Sequence, residues 1–272
     1  MTGTFCVPGV CVRVTIPMFF FLVSYLSTMP SSGISLFQNR IVSLQKERAA
    51  LEAFPLDELT EIIREVGFTC DLCGRCCTRR FNGHVFLFPD EAEKIRAIAP
   101  SALEPPPVYD TCDQNGVLYV SGYTIRSKND EAGSCWFFEG GRCQIYSERP
   151  RICRSYPYML HREPDEKGVS DWRQISGLDQ HGTYHADITR EEAERIAGEI
   201  KVFESRVLSQ EISFLEMLSL YFSRGNLRPV RKKLDDQVRK FRGGSTITVM
   251  VYHSGGFERW SVGKTGAILL PP

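Results

Sequence analysis

The chain has 272 residues, and its 33 basic side chains balance 33 acidic ones, so the formal net charge is zero. A composition of 42% hydrophobic and 24% charged residues is ordinary for a soluble globular protein and excludes wholesale disorder. Because no overall field draws the chain to nucleic acid or to an acidic membrane, nucleic acid is not an expected partner unless a local patch binds it.

The N-terminal part, residues 1–33, contains a short apolar run over 12–29. A membrane-spanning helix needs about 20 apolar residues, and positions 27–29 make a poor signal-peptide cleavage site. Three interpretations stay open: a membrane anchor, a signal peptide, or an extension upstream of a start at Met29. We expect a cytoplasmic protein, anchored to a membrane only if residues 12–29 are retained.

Residues 34–66 are rich in good helix formers and have apolar side chains at helical spacing, which predicts a lead-in of two helices divided at Pro55. Residues 67–187 differ, because Gly, Pro, Asn and Asp separate short apolar pieces. Within them, Asp90 is predicted to cap a helix, with Glu93 at the third helical position. A fold with so few long elements needs more than its core, and a bound metal can supply the rest.

Residues 188–242 are predicted to form a helical arm. Thr189 and Glu192 fit a capping box, and Gly225-Asn226 ends the first helix near Arg224. The apolar stripe of this helix comprises Ala193, Ile196, Ala197, Ile200, Phe203, Val207, Phe214 and Leu218. A second helix is predicted over 227–241.

Residues 243–272 are predicted to form a β-hairpin tail, with strands over 246–252 and 257–262 and a Ser-Gly-Gly turn between them. The whole pattern predicts an α+β fold. Its centre is a small, irregular, metal-stapled cysteine-rich domain over 67–187, flanked by helices.

Four cysteines fall within eight residues, as Cys70-x-x-Cys73-x-x-Cys76-Cys77. Two residues between cysteines allow neighbouring sulfurs to turn onto one ion, and Gly74 provides the flexibility that such a turn needs. Three cysteines at this spacing are typical of iron–sulfur ligation, whereas structural zinc more often uses separated pairs. The cofactor is therefore expected to be zinc or an iron–sulfur cluster, with 4Fe–4S the favoured cluster type.

A second group of cysteines, Cys135, Cys143 and Cys153, follows in loops that can return to the first. Arg149, Arg151 and Arg154 lie near them in sequence, and guanidinium groups could offset the negative charge of several thiolates. Disulfides in a secreted protein are a poor alternative, because four thiols in eight residues, two of them adjacent, make a poor framework. Chance clustering of buried cysteines explains this density even less well.

The combined pattern, C-x2-C-x2-C-C followed by a further Cys and then C-x-I-Y-x-x-R-P-x-x-C-R-x-Y-P, resembles the YkgJ-type cysteine cluster family over residues 68–184. Members of this family are described as zinc- or iron-chelating proteins. The resemblance implies a set of seven metal ligands: Cys70, Cys73, Cys76, Cys77, Cys135, Cys143 and Cys153. It also implies that Arg149-Pro150 and Tyr156-Pro157 support the site.

One departure from the family concerns an eighth ligand. Where members often have Cys-x-Gly, this chain has Ile175-Ser176-Gly177. Cys112, His181 or His185 could complete the site instead, since imidazole is a common ligand for zinc and iron.

Three functions follow as hypotheses. The first is a metalloprotein whose site is redox-active or serves a partner enzyme if it holds iron–sulfur, and staples the fold if it holds zinc, because a four-thiolate zinc is closed to substrate. The second is a protein-modifying enzyme, since a related cysteine cluster occurs in the flagellin lysine N-methylases. The third is a metal-stapled interaction module that binds a protein partner through residues 190–241.

Overall fold

The computed structural model describes residues 3–7, 10–14, 33–159, 174–175 and 180–271. The apolar run over 12–29 lies almost entirely outside these residues. The described part contains seven α-helices: α1 Gly33–Ala53, α2 Leu56–Val66, α3 Arg79–Asn82, α4 Pro89–Ile98, α5 Arg151–Ser155, α6 Arg190–Arg224 and α7 Arg231–Arg242. Within it, no helix is long and apolar enough to cross a membrane.

The strands of the described residues are short in the middle of the chain and longer at its end. They are β1 Gly3–Val7, β2 Val10–Val14, β3 Val85–Leu87, β4 Leu103–Glu104, β5 Thr111–Cys112, β6 Leu118–Ser121, β7 Tyr123–Ile125, β8 Phe138–Glu139, β9 Arg142–Cys143, β10 Tyr158–Met159, β11 Gln174–Ile175, β12 Ile247–His253, β13 Gly256–Gly263 and β14 Gly266–Leu269. The described residues combine helices with mostly antiparallel sheets, so the α+β prediction is confirmed.

The chain divides into two compact units. Of the described residues, unit 1 contains those within Met1–Phe20, Ala49–Gly83 and Ser127–Arg206. Unit 2 contains those within Phe21–Arg48, His84–Arg126 and Val207–Pro272.

Unit 1 combines α2 and the start of α6 with the short strands. As predicted, Pro55 separates α1 from α2, and Gly67 ends α2 in the left-handed conformation at φ 53°. The buried face of α2 includes Leu59, Ile63 and Val66, at the spacing of one helix face. Unit 1 therefore pairs a regular helical face with the irregular loops that carry the cysteines.

Unit 2 contains a five-stranded sheet in the order β14-β13-β12-β6-β5. The β12–β6 pair is parallel, and the other pairs are antiparallel. Along β12, Ile247, Val249, Val251 and His253 alternate inward, as expected for a half-buried strand. The predicted C-terminal hairpin thus exists and continues into a larger sheet with β5, β6 and β14.

Two sequence predictions about helix ends are wrong. Helix α4 begins at Pro89 rather than after Asp90, and Glu91, not Glu93, accepts a hydrogen bond from the Phe88 N–H at 3.1 Å. Proline is favoured at the first helical position, and the helix therefore starts two residues earlier than predicted.

Helix α7 begins at Arg231 rather than at residue 227. The preceding residues pair with the β5 region, through the Val230 N–H to Cys112 O bond of 2.8 Å and a bridge between Asp113 and Pro229. Proline also disfavours the helical conformation for Arg228 before it. The predicted ends of α6 are confirmed: Thr189 Oγ1 accepts from the Glu192 N–H at 3.2 Å, and the helix stops at Arg224.

Candidate metal centre

The loop that carries the first four cysteines makes a tight turn at Gly74. Its φ of +77° lies in the left-handed region, and the turn Arg75–Cys77 follows directly, with the Cys77 N–H donating to Gly74 O at 3.0 Å. The ring of Phe138 lies against Gly74 so closely that a Cβ there would stand 2.0 Å from a ring carbon. Glycine is thus required at this position by both backbone and packing.

Backbone contacts bring the later cysteines to this turn. The Cys135 N–H donates to Cys77 O at 2.7 Å, and Thr78 bridges to Ser134 beside it. Strand pairing then sets Cys143 opposite Phe138, the residue that covers Gly74. Residues 56 or more apart in sequence are therefore joined at one place in unit 1.

Cys153 lies in the first turn of α5, where its N–H donates to Pro150 O at 2.9 Å. Burial raises the pKa of its thiol well above the ordinary value, and the nearby thiols of Cys135, Cys77 and Cys143 raise that pKa further. Because three other thiols affect its pKa, the thiol of Cys153 lies close to a cluster of groups that can become thiolates.

The pKa values of three other, partly buried thiols are raised as well. The pKa of Cys77 is raised, first by a hydrogen bond with Cys76 and then by burial. Burial raises the pKa of Cys135 to about 11, and it also raises that of Cys143, which feels the thiols of Cys77 and Cys70. Without a cation these thiols favour their neutral form, because several thiolates at one place repel each other.

Arg149 is the cation common to this cluster. Its guanidinium group lowers the pKa of Cys77, Cys143 and Cys153, opposing burial in each case. The group is held over the ring of Tyr146, 4.0 Å from the ring centroid. The predicted proximity of this arginine to the thiols is thus observed.

Lys128 contributes a second positive charge that the sequence pattern did not single out. It lowers the pKa of Cys135, and its Nζ donates to Phe138 O at 2.6 Å. Lysine seven positions before a cysteine carries no motif signal, so only the fold reveals this contact.

Cys73 stands apart from the other six cysteines, because its side chain is exposed. Its N–H donates to Asp71 Oδ1 at 3.0 Å, and hydrogen bonding from Cys73 lowers the pKa of that carboxyl. Leu72 between them adopts a positive φ of 62°. Cys73 therefore lies at the solvent edge of the loop.

The three residues considered as additional ligands have different surroundings. Cys112 is buried in β5 of unit 2, where its thiol contacts Asp113 O at 3.6 Å, and it belongs to a different unit from the seven cysteines. His185 is directed to the backbone of α2, with Nδ1 3.3 Å from Glu65 O.

His181 lies beside the cysteine loop, because Arg75 Nη1 donates to Gln180 O at 2.8 Å and Thr69 pairs with Thr183. Its ring is buried among aromatic rings, with centroids 4.7 Å from Phe81 and 5.2 Å from Tyr156. Its surroundings in this structure are mainly aromatic.

The donor chemistry of the cluster fits a thiophilic metal, since zinc and iron–sulfur clusters both take thiolate ligands. Across the described ranges, no three Cys, His, Asp or Glu side chains already form a coordination shell. The fold thus gathers the donors and a compensating arginine without closing a shell around an ion.

Comparison with known protein families gives a match for the cysteine-rich region. Residues 69–176 match the family model CxxCxxCC, described as "Putative zinc- or iron-chelating domain". No curated protein and no solved structure matches the chain. Residues 69–176 are therefore similar to the CxxCxxCC domain family, whose members are described as zinc- or iron-chelating.

Proposed function

We propose that this protein binds a metal ion or an iron–sulfur cluster through thiolates drawn from its seven unit 1 cysteines. The observation that carries the proposal is the mutual electrostatic effect of Cys77, Cys135, Cys143 and Cys153, with Arg149 among them. Partly buried thiols that raise each other's pKa keep their protons when no cation is near, and a bound cation favours their thiolate forms.

The cofactor that we favour is a 4Fe–4S cluster, because Cys70, Cys73 and Cys76 follow the two-residue spacing of cluster ligands. When bound, such a cluster supplies one-electron chemistry. This chain's own contribution is to pack Phe138 against the turn at Gly74 and to set the charge of Arg149 near the thiol of Cys143. The biochemical role proposed is that of an accessory redox protein for a partner enzyme.

The alternative is a structural zinc site. It draws support from the short elements of unit 1 around the cysteines, since a fold with little regular structure gains stability from a metal that joins distant segments. In this form the protein has no redox role, and the metal fixes the loops.

The test is the metal and acid-labile sulfide content of the full chain purified without oxygen, together with its absorption spectrum. We expect iron and sulfide in equal amounts and a brown protein. Stoichiometric zinc in a colourless protein would replace the redox role with a structural one. Protein without either metal would contradict the proposal.

A further interaction role for residues 190–241 receives less support from the apolar stripe of α6. Of its eight predicted members, Ala193, Ala197, Ile200, Phe203, Phe214 and Leu218 are buried. Charged residues of the helical arm, rather than its apolar stripe, are therefore exposed for a partner to bind.

A further inference from the structure

The end of the helical arm carries a dense basic surface in unit 2. Between residues 224 and 242, eight exposed basic side chains accompany only Asp235 and Asp236, which gives a net charge of +6. These eight, the basic face, are Arg224, Arg228, Arg231, Lys232, Lys233, Arg239, Lys240 and Arg242. The two aspartates are already engaged, with Arg231 at 3.4 Å and with Arg239 at 3.6 Å.

The basic face is held in place by packing on unit 2. Leu234 of α7 is buried, and the segment before the helix is tethered by the Arg228 N–H to Gln114 Oε1 bond of 2.7 Å. Along α7 lies an open groove of about 290 Å³ lined by Lys233, Asp236, Gln237, Arg239 and Lys240. The positive charges are therefore presented by an ordered helix rather than by a loose tail.

Unit 1 carries an acidic surface of matching magnitude. Residues 57–65 of α2 and 187–199 at the start of α6 contain nine carboxylates and three arginines, a net charge of −6. These nine, the acidic face, are Asp57, Glu58, Glu61, Glu65, Asp187, Glu191, Glu192, Glu194 and Glu199. Arg190 bridges both segments through Asp57 at 3.0 Å and Glu61 at 3.2 Å.

The carboxylates of the acidic face are open to solvent. The side chain of Asp57 is 85% exposed and that of Glu61 is 54% exposed, although both contact Arg190. Because Arg190 joins α2 to the first turn of α6, the two carboxylate-rich segments lie side by side as one surface. Although the net charge of the chain is zero, it has one face with a net positive charge and one with a net negative charge.

We propose that the basic face of one copy of this chain docks on the acidic face of a second copy. The two net charges, +6 and −6, complement each other, and complementary potentials direct both encounter and register. A polyanion such as RNA would compensate the basic face alone, whereas a second copy compensates both faces. The proposal does not depend on which metal the cysteines bind.

The test is sedimentation velocity of the full chain at about 0.01 M and about 0.3 M salt, between which the Debye length falls from about 30 Å to below 10 Å. We expect association at low salt that is lost at high salt. A chain that remains monomeric at low salt, or that associates equally at both salt concentrations, would overturn the proposal. RNA binding by a monomeric chain would overturn it as well.

Charge-reversal variants make the test specific to the two faces. We expect Lys232→Glu/Lys233→Glu/Lys240→Glu and Glu65→Lys/Asp187→Lys/Glu191→Lys each to lose self-association, and an equimolar mixture of the two to associate.

The control Lys46→Glu/Lys94→Glu reverses two exposed charges outside both faces and should associate like the wild type. Circular dichroism of every variant shows whether it is folded. Folded variants that associate alone as the wild type does would contradict the assignment of the faces.

Discussion

Arg149 shows how single residues define the cysteine cluster. It lowers the pKa of three thiols at once while its guanidinium group stacks on Tyr146. A planar cation with several N–H donors can offset the charge of several sulfurs, which a single ammonium group does less well. The arginine therefore favours the thiolate forms that a metal needs.

Replacing Arg149 by Gln should weaken metal binding by about ten- to a hundredfold, the usual loss when a group supporting the ligands is removed. Arg149→Lys keeps the charge but loses the stacked plane, so its loss should be smaller. Competition with a chromophoric chelator measures both. Arg154→Gln is the matched control, because Arg154 is exposed, and a loss there equal to that of Arg149→Gln would refute a specific role.

The raised thiol pKa values predict a pH dependence of the metal-free protein. A thiol with a pKa of about 11 when folded and 9.0 ordinarily, as for Cys135, stabilises the fold fully below pH 9. That contribution is lost as the pH rises toward 11, because the unfolded chain loses its proton first.

Urea unfolding of the chelator-treated protein from pH 8 to pH 11 tests this sign. The free energy of unfolding should fall with rising pH, and the fall should be shallower in Cys135→Ala. Burial also raises the pKa of partly buried tyrosines such as Tyr109, so the difference between the two proteins is the informative quantity. Parallel curves for both would exclude the thiol as the cause.

Helix α4 illustrates the same reasoning at the scale of an element. Its start combines Pro89 at the first position with Glu91, whose carboxylate accepts the Phe88 N–H. The capping pattern in the sequence predicted a helix here but assigned its cap to Asp90. The cap is the last residue with an extended backbone before the helix. Because Pro89 takes the first helical position, that residue is Phe88.

We therefore expect Glu91→Ala to lower the free energy of unfolding by about 1 kcal/mol, a typical value for a lost cap contact. Asp90→Ala is the control and should have a smaller effect, because the capping bond is made by its neighbour. Thermal denaturation of both variants gives the comparison. A larger loss for Asp90→Ala would restore the sequence-based cap.

Elements with strong local signals could be predicted from sequence, and elements made by distant pairing could not. The helices around Pro55, the ends of α6 and the C-terminal hairpin follow from periodicity, caps and turn residues. The parallel pairing of β6 with β12 joins Leu118 to Val249, and nothing in either segment indicates its partner. The same applies to Lys128, which meets the thiols only through the fold.

At the scale of the whole molecule, the candidate metal ligands and the five-stranded sheet lie in different units. Unit 1 contains all seven predicted ligands, whereas unit 2 contains Cys112 and the largest sheet. The motif predicted which cysteines belong together, and the backbone contacts of Cys77 with Cys135 are consistent with that grouping. Cys73 is exposed, whereas the other six cysteines of unit 1 are partly buried.

The most direct test of the central claim is the metal content per chain of single Cys→Ser variants, measured on protein purified without oxygen. The account predicts a full complement in the wild type and in Cys112→Ser, whose thiol is buried in unit 2. It predicts a loss of half or more of the metal in Cys77→Ser, Cys135→Ser and Cys153→Ser, since a site with a missing thiolate holds its metal less tightly. Equal metal content in all of these proteins, or a loss confined to Cys112→Ser, would contradict it.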